Sequence, residues 1–199
     1  MLLNHQDLAP SAWVTRFAPL IPAGGRVLDV ACGSGRHLRW LAAQGWRVTG
    51  VDRDEAAVQP LRELAQVMVA DIEAGPWPLP PRAFDGVVVT NYLWRALLPN
   101  IKASLAPGGV LIYETFADGQ QHIGKPSRPD FLLQPGELLQ AFSGLRVVAF
   151  EDGHESRPER FVQRLVAVLE AQHTALGPVP SPLPSPLPPA CYSLTGANR

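Results

Sequence analysis

The sequence predicts an α/β fold, a single domain on a Rossmann-like, mostly parallel sheet with helices on both faces. Three observations carry that prediction. Residues 26–52 read as a strand, a small-residue turn, a helix and a second strand ending in an acid, the order of a nucleotide-binding βαβ unit. Downstream, short Val-rich runs such as 84–90 are too brief for helices and suit strands buried on both faces. At 199 residues the chain is long enough for one sizeable core.

In chain order, residues 1–25 form an N-terminal segment and helix. Ser11 is an N-cap candidate, and Trp13, Val14, Phe17, Leu20 and Ile21 follow at helical spacing. Pro22, Gly24 and Gly25 turn the chain into the first strand, which carries Val27, Leu28 and Val30. The helix over 34–44 places Leu38 and Leu41 on one face and stops at Gly45. Residues 46–52 form strand two, and Asp54 caps a helix over 55–64 that Pro60 shortens or kinks. Strands follow at 66–70 and 84–90, separated by a Pro-rich loop too stiff for a helix. A helix over 95–105, a turn through Pro107, Gly108 and Gly109, and a strand over 110–116 come next. Residues 117–134 form a long loop, read as a lid lined by His122 and Phe131. A short helix over 135–142 leads to strands at 145–150 and 160–169 around a polar turn at Gly153 and Pro158. The domain so defined runs over 26–172. Residues 173–199 are Pro-rich and read as an extended or disordered tail.

Composition narrows the function classes. A net charge of −1 argues against nucleic-acid binding by phosphate neutralisation. Cys32 and Cys191 match no metal or disulfide spacing, and Cys32 reads as a small turn residue. With no basic-apolar leader and no apolar run near ~18 residues, neither secretion nor a membrane is indicated, and a cytoplasmic location follows. The oligomeric state is not legible.

The turn Ala31-Cys32-Gly33-Ser34-Gly35 supplies two glycines of G-x-G-x-x-G, but Leu38 stands at the third, which weakens a dinucleotide reading. Asp29 would repel a pyrophosphate and suits a cationic group such as an ammonium. Asp52, followed by Arg53, is placed to accept ribose hydroxyls.

Residues 27–37, Val-Leu-Asp-Val-Ala-Cys-Gly-Ser-Gly-Arg-His, resemble motif I of the class I S-adenosylmethionine-dependent methyltransferases. Within them they are similar to the small-molecule type that includes the tellurite-resistance and thiopurine methyltransferases. Ala31 replaces the first glycine of that family's acid-then-G-x-G-x-G pattern. The resemblance covers about 11–170. It implies a seven-stranded sheet in the order 3-2-1-4-5-7-6 with the last strand antiparallel, and S-adenosyl-L-methionine as cofactor. It places Asp29, Ala31, Cys32, Gly33, Gly35, His37, Asp52, Arg53 and Asn91 at the cofactor, and gives Asp71 and Ile72 the adenine. Family members acting on nucleobase or amide nitrogens carry Pro-Pro after the Asn91 position. Here Tyr92-Leu93 stands instead, which argues against an exocyclic amine.

The reaction implied is in-line displacement at a sulfonium methyl, for which a protein base is optional. Tyr113, Glu114, His37 and His122 are candidate proton acceptors, and the sequence does not choose among them. The aromatic residues Tyr92, Trp94, Phe116 and Phe131 suggest a small-molecule acceptor. An RNA or protein methyltransferase, or a non-catalytic cofactor-binding module, stays open as an alternative.

Overall fold

A computed structural model describes residues 9–171. The proposed tail and the first eight residues lie outside them. Helix α1 (Ala12–Phe17) precedes β1 (Arg26–Val30), α2 (Arg36–Ala43), β2 (Arg47–Asp52), α3 (Glu55–Val58) and β3 (Gln66–Val69). Then come β4 (Phe84–Thr90), α4 (Leu98–Ser104), β5 (Leu105–Phe116), α5 (Glu137–Ala141), β6 (Arg146–Ser156) and β7 (Glu159–Val168). The seven strands form one sheet in the order β3-β2-β1-β4-β5-β7-β6. Strands β1 to β5 pair in parallel, and β7 runs antiparallel to both β5 and β6. This is the expected architecture.

Strand alternation divides the core in two. Val27, Val88, Ile112 and Val166 face α1, α2 and α3, where they meet Trp13, Phe17, Leu38, Leu41 and Val58. Their chain neighbours Leu28, Val87, Val89, Leu111 and Leu165 face α4 and α5, where they meet Ile101, Leu138 and Phe142. Period-two side chains on a doubly covered sheet produce this split, and it explains why the runs are apolar throughout. Trp13 and Phe17 are buried and pack edge to face at 4.6 Å, so they belong to the core.

Several boundaries differ from the sequence expectation. Pro60 ends α3 early, leaving Gln59–Leu61 as a single 3₁₀ turn. Pro99 sits in the first turn of α4, where a missing N–H costs nothing, so the helix begins only at Leu98. The expected Pro-Gly-Gly turn is absorbed into β5: Phe84 pairs with Leu105 and Gly86 with Val110, with the extra residues bulging out. Strand β6 runs straight through Gly153, which pairs with Val162. The turn falls at Arg157-Pro158 instead.

The 117–134 segment is anchored rather than loose. Ala117 bridges Leu133, and the Asp118 amide donates to the Leu133 carbonyl at 2.9 Å. Buried Gln120 accepts from the Phe161 amide at 2.9 Å, and Arg95 holds the carbonyls of Asp130 and Leu132 at 2.7 and 2.8 Å.

Candidate functional site

The carboxyl ends of β1 to β4 converge on one edge of the sheet, where open α/β folds place ligands. Three adjoining cavities lie there. The largest, about 480 Å³, is lined by Asp29, Ala31, Cys32, Gly33, Ser34, Arg36, His37, Asp54, Ala57, Thr90 and Asn91. A second, about 180 Å³, shares Ala31 with it and adds Asp52, Arg53, Ala70, Asp71, Ile72, Glu73 and Tyr92. A third, about 280 Å³, shares Asn91 with the first and Glu73 and Tyr92 with the second.

The turn between β1 and α2 shapes the first cavity. Ala31 (φ 52°), Gly33 (φ 52°) and Gly35 (φ 79°) all take left-handed backbone conformations, so the chain coils tightly there. Ala31 adopts this conformation although it carries a Cβ, which costs about 1–2 kcal/mol. Gly35 does not line any of the three cavities. It is the N-cap of α2, and a Cβ on it would meet Leu61 Cδ1 at 2.5 Å. Its contact with Leu61 is a packing constraint, standing beside the cofactor place that the resemblance implies for it.

Asp29 follows the same alternation as Val27 and faces α2. It is 1 % exposed, and its Oδ2 has no hydrogen-bond partner among the described residues. Burial pushes its carboxyl up to about 7, against the pull of the Leu38 amide and of Arg36. Arg36, in the first turn of α2, is half-buried and feels both Asp29 and Glu114. Neither its charge nor that of the neighbouring helix end was singled out in the sequence, although an Arg directly after Gly35 at a helix start was the available signal.

His37 is buried, with both ring nitrogens engaged. The Ser11 amide donates to Nε2 at 3.1 Å, so the proton resides on Nδ1, which faces Thr90 Oγ1 at 3.2 Å. Burial, aided by Arg36, pushes the ring down to about 3. Although His37 lines the cavity, it acts as a clasp joining α1, α2 and β4 and is not a free proton acceptor.

Asp29 and His37 oppose one another in pH dependence. Asp29, raised from 3.8 to about 7, contributes stability below 3.8 that is lost as pH rises through about 7. His37, lowered from 6.5 to about 3, contributes stability above 6.5 that is lost as pH falls through about 3. The Asp29→Asn variant should therefore gain stability relative to the native chain by up to about 1.4 kcal/mol per pH unit between roughly pH 4 and 7. Urea unfolding at pH 4.5, 5.5 and 6.5 measures this, and a pH-independent difference would contradict it.

In the second cavity, Asp52 is not free of protein partners, contrary to expectation. Its Oδ2 accepts from the Gly33 amide at 2.8 Å and its Oδ1 from the Asp54 amide at 2.9 Å. A carboxylate has about four lone-pair sites, so two stay open. Asp54 caps α3 through the Ala57 amide at 3.2 Å, as expected. Exposed Asp71 uses Oδ1 to accept from the Glu73 and Ala74 amides at 3.0 and 3.1 Å, and buried Ile72 lies beside it. Asn91 stands at φ 53° where the first and third cavities meet. Cys32 packs against Gly50, and burial, with Asp29 and Asp52 adding to it, pushes its thiol well above the ordinary range.

The expected proton acceptors on β5 are not in these cavities. Tyr113 faces the α4 and α5 side, is fully buried and donates to the Tyr92 carbonyl at 2.9 Å. Glu114, one residue on, faces α1. It is 1 % exposed and accepts from Ser11 Oγ at 2.9 Å and Arg164 Nε at 2.5 Å, with Arg160 at 3.5 Å. Exposed His122 lines none of the three cavities. Phe131 lines the third.

Comparison with known proteins agrees with this geometry. A methyltransferase-domain family profile matches residues 3–161. The chain belongs to the methyltransferase-domain family. Among similar curated proteins, trans-aconitate 2-methyltransferase of Paracidovorax citrulli is 39% identical over 102 residues, 46% of this chain and 38% of the relative. The tRNA U34 carboxymethyltransferase of Methylococcus capsulatus is 37% identical over 116 residues, 49% of this chain and 33% of the relative. The chain thus spans 38% and 33% of these two relatives' lengths. TehB of Haemophilus influenzae superposes with a TM-score of 0.68 at 18% identity, over 83% of this chain and 64% of that one. A methyltransferase from Methanosarcina mazei gives 0.66 at 16%, over 83% of this chain and all of that one. At such identities the two structures speak to the fold.

No helix among the described residues is long and apolar enough to cross a membrane, and no group of His, Cys, Asp and Glu among them could hold a metal ion.

Proposed function

We propose that this methyltransferase moves the methyl group of S-adenosylmethionine to a small-molecule acceptor, using the two larger cavities for the cofactor's amino-acid end and the acceptor and the smallest for the nucleoside. The observation that carries the assignment of ends is the orphaned, buried Oδ2 of Asp29. An unpartnered buried carboxylate oxygen is costly, and an ammonium group supplies the missing donor. Arg36, on the same cavity wall, suits the accompanying carboxylate. Asp52 has two open acceptor sites for ribose hydroxyls, and the free oxygen of Asp71 with Ile72 beside it suits the adenine edge.

Bound there, the cofactor supplies a methyl on positively charged sulfur, open to in-line displacement. The chain's own contribution is alignment and exclusion of water, effects worth roughly 7–11 kcal/mol at best. Asn91 and Tyr92 stand where the cofactor and acceptor cavities meet, so they orient the approach. No proton-accepting role falls to Tyr113, Glu114 or His37, because each is already hydrogen-bonded away from the acceptor cavity. An acceptor that loses its proton to water or has none to lose fits this site best.

Isothermal titration with S-adenosylhomocysteine tests the reading. The native chain should give a saturable heat, and Arg36→Met should weaken binding about tenfold while leaving the unfolding free energy within ~0.5 kcal/mol. Absence of heat with the native chain would defeat the proposal. The tRNA-modifying relative supports a second reading, a nucleic-acid acceptor. It would be favoured if label from methyl-labelled cofactor entered total tRNA rather than a metabolite extract.

A further inference from the structure

The third cavity carries information about the acceptor that none of the relatives supplies. Its walls are largely apolar: Leu93 is buried at 3 % exposure, and Phe116, Phe131 and Pro126 complete the enclosure. Glu73 is the one charged residue among those lining it. Its carboxylate stands 4.0 Å from Arg53, whose side chain is 70 % exposed, so that pairing is weak and solvent-screened. The Tyr92 hydroxyl, at the same junction, is buried and makes no hydrogen bond of full geometry among the described residues, but it stands beside Glu73. Burial first, then the charge of Glu73 and a hydrogen bond to its carboxylate, hold the hydroxyl proton on.

Two neighbouring arginines are engaged elsewhere. Arg95 grips Glu137 through two hydrogen bonds at 2.7 and 3.0 Å and gives two more to the Asp130 and Leu132 carbonyls. Arg128 lies over the Phe131 ring at 5.1 Å but is paired with Asp130 at 2.7 Å. The cavity therefore offers one carboxylate, at the side it shares with the second cavity, and a mainly apolar wall that Asn91 and Thr115 interrupt.

We infer that this cavity seats an acceptor with a flat apolar body and a hydrogen-bond-donating or cationic head, oriented by Glu73, and that it rejects carboxylates. The inference rests on the methyltransferase reading above. It separates this chain from its relative named for trans-aconitate, a polycarboxylate that would meet Glu73 with like charge in a cavity lined by no Lys or Arg, the nearest cation, Arg53, lying exposed in the adjoining one. A cationic head instead gains the carboxylate, and the apolar body gains Phe131 and Phe116.

The test uses the full chain saturated with S-adenosylhomocysteine. Saturation itself is confirmed first by titration, and its failure would overturn the cofactor reading before any acceptor is added. Two probes that share a phenyl body, 2-phenylethylamine and 3-phenylpropanoate, are then titrated by ligand-observed NMR, with trans-aconitate as a third. The amine should bind at least tenfold tighter than either acid. Glu73→Gln should reduce the ratio of amine to 3-phenylpropanoate to below threefold, and Phe131→Ala should weaken both phenyl probes while leaving that ratio in place. Equal binding of amine and acid, tighter binding of trans-aconitate, binding of none of the three, or a ratio untouched by Glu73→Gln would overturn the inference.

Discussion

Replacing Glu114 by glutamine should destabilise the fold by about 3–5 kcal/mol, the usual cost of removing one partner from a buried ion pair. In a domain of this size that corresponds to a fall in Tm of roughly 6–20 °C. Glu114 is almost fully buried and sits directly opposite Arg164 in the β5–β7 ladder; Arg164 in turn lies opposite Glu151 on β6. Arg164 reaches Glu151 at 2.8 Å and Glu155 at 2.9 Å, while Arg160 reaches Glu155 at 2.6 Å. The pairs thus run across three strands, and Glu114 is the member with the least access to water. Its loss would leave Arg164 and Arg160 short of a buried carboxylate and weaken the Ser11 Oγ bond that ties the start of α1 to β5. A catalytic base would behave differently: its glutamine variant would unfold at the native urea concentration and lose only turnover. A change in unfolding free energy under ~1 kcal/mol would favour that account and count against the structural one.

Glu114 also shows where reading the sequence succeeds and where it stops. Its place near the end of a strand was legible from the apolar run before it. Its role was not, because the run gives no sign of which face each residue takes. Period-two alternation sends Tyr113 to the α4 and α5 side and Glu114 to the α1 side, so the two candidate bases point in opposite directions. The arginines that pair with Glu114 lie 46 and 50 positions along the chain, and only the antiparallel register of β7 brings them near. Local signals fared better. The βαβ unit, the capping role of Asp54 and the disruptive effect of Pro60 all depend on neighbours within a few residues, and all appear in the structure. Gly35 marks the intermediate case: its backbone freedom was legible, but the Leu61 side chain against it, brought from beyond α3, was not.

The same distinction bears on Asp52, whose acidic end-of-strand position was legible but whose two amide bonds were not. Under the proposed reading, Asp52→Ala should weaken S-adenosylhomocysteine binding by about 2–4 kcal/mol, roughly thirtyfold to a thousandfold in Kd. Two effects combine. The carboxylate's open lone pairs no longer meet the ribose hydroxyls, and hydrogen bonds to a charged acceptor are each worth about 1.5–3 kcal/mol. In addition, the Gly33 amide loses the partner that helps fix the turn between β1 and α2, and Gly33, with no Cβ to restrict it, is free to leave its left-handed conformation. Asp54→Ala separates the two contributions from a general loss of order. It removes the α3 cap at a cost of about 0.5–2 kcal/mol of stability but keeps the Asp54 amide that Asp52 accepts from, so its effect on cofactor affinity should stay within about threefold. If both variants weakened binding equally, the α3 entry as a whole would be at fault and Asp52 would hold no sugar. A large loss confined to Asp52→Ala would place the ribose at the tip of β2, with Asp29 and Asp71 flanking it on the neighbouring strand ends.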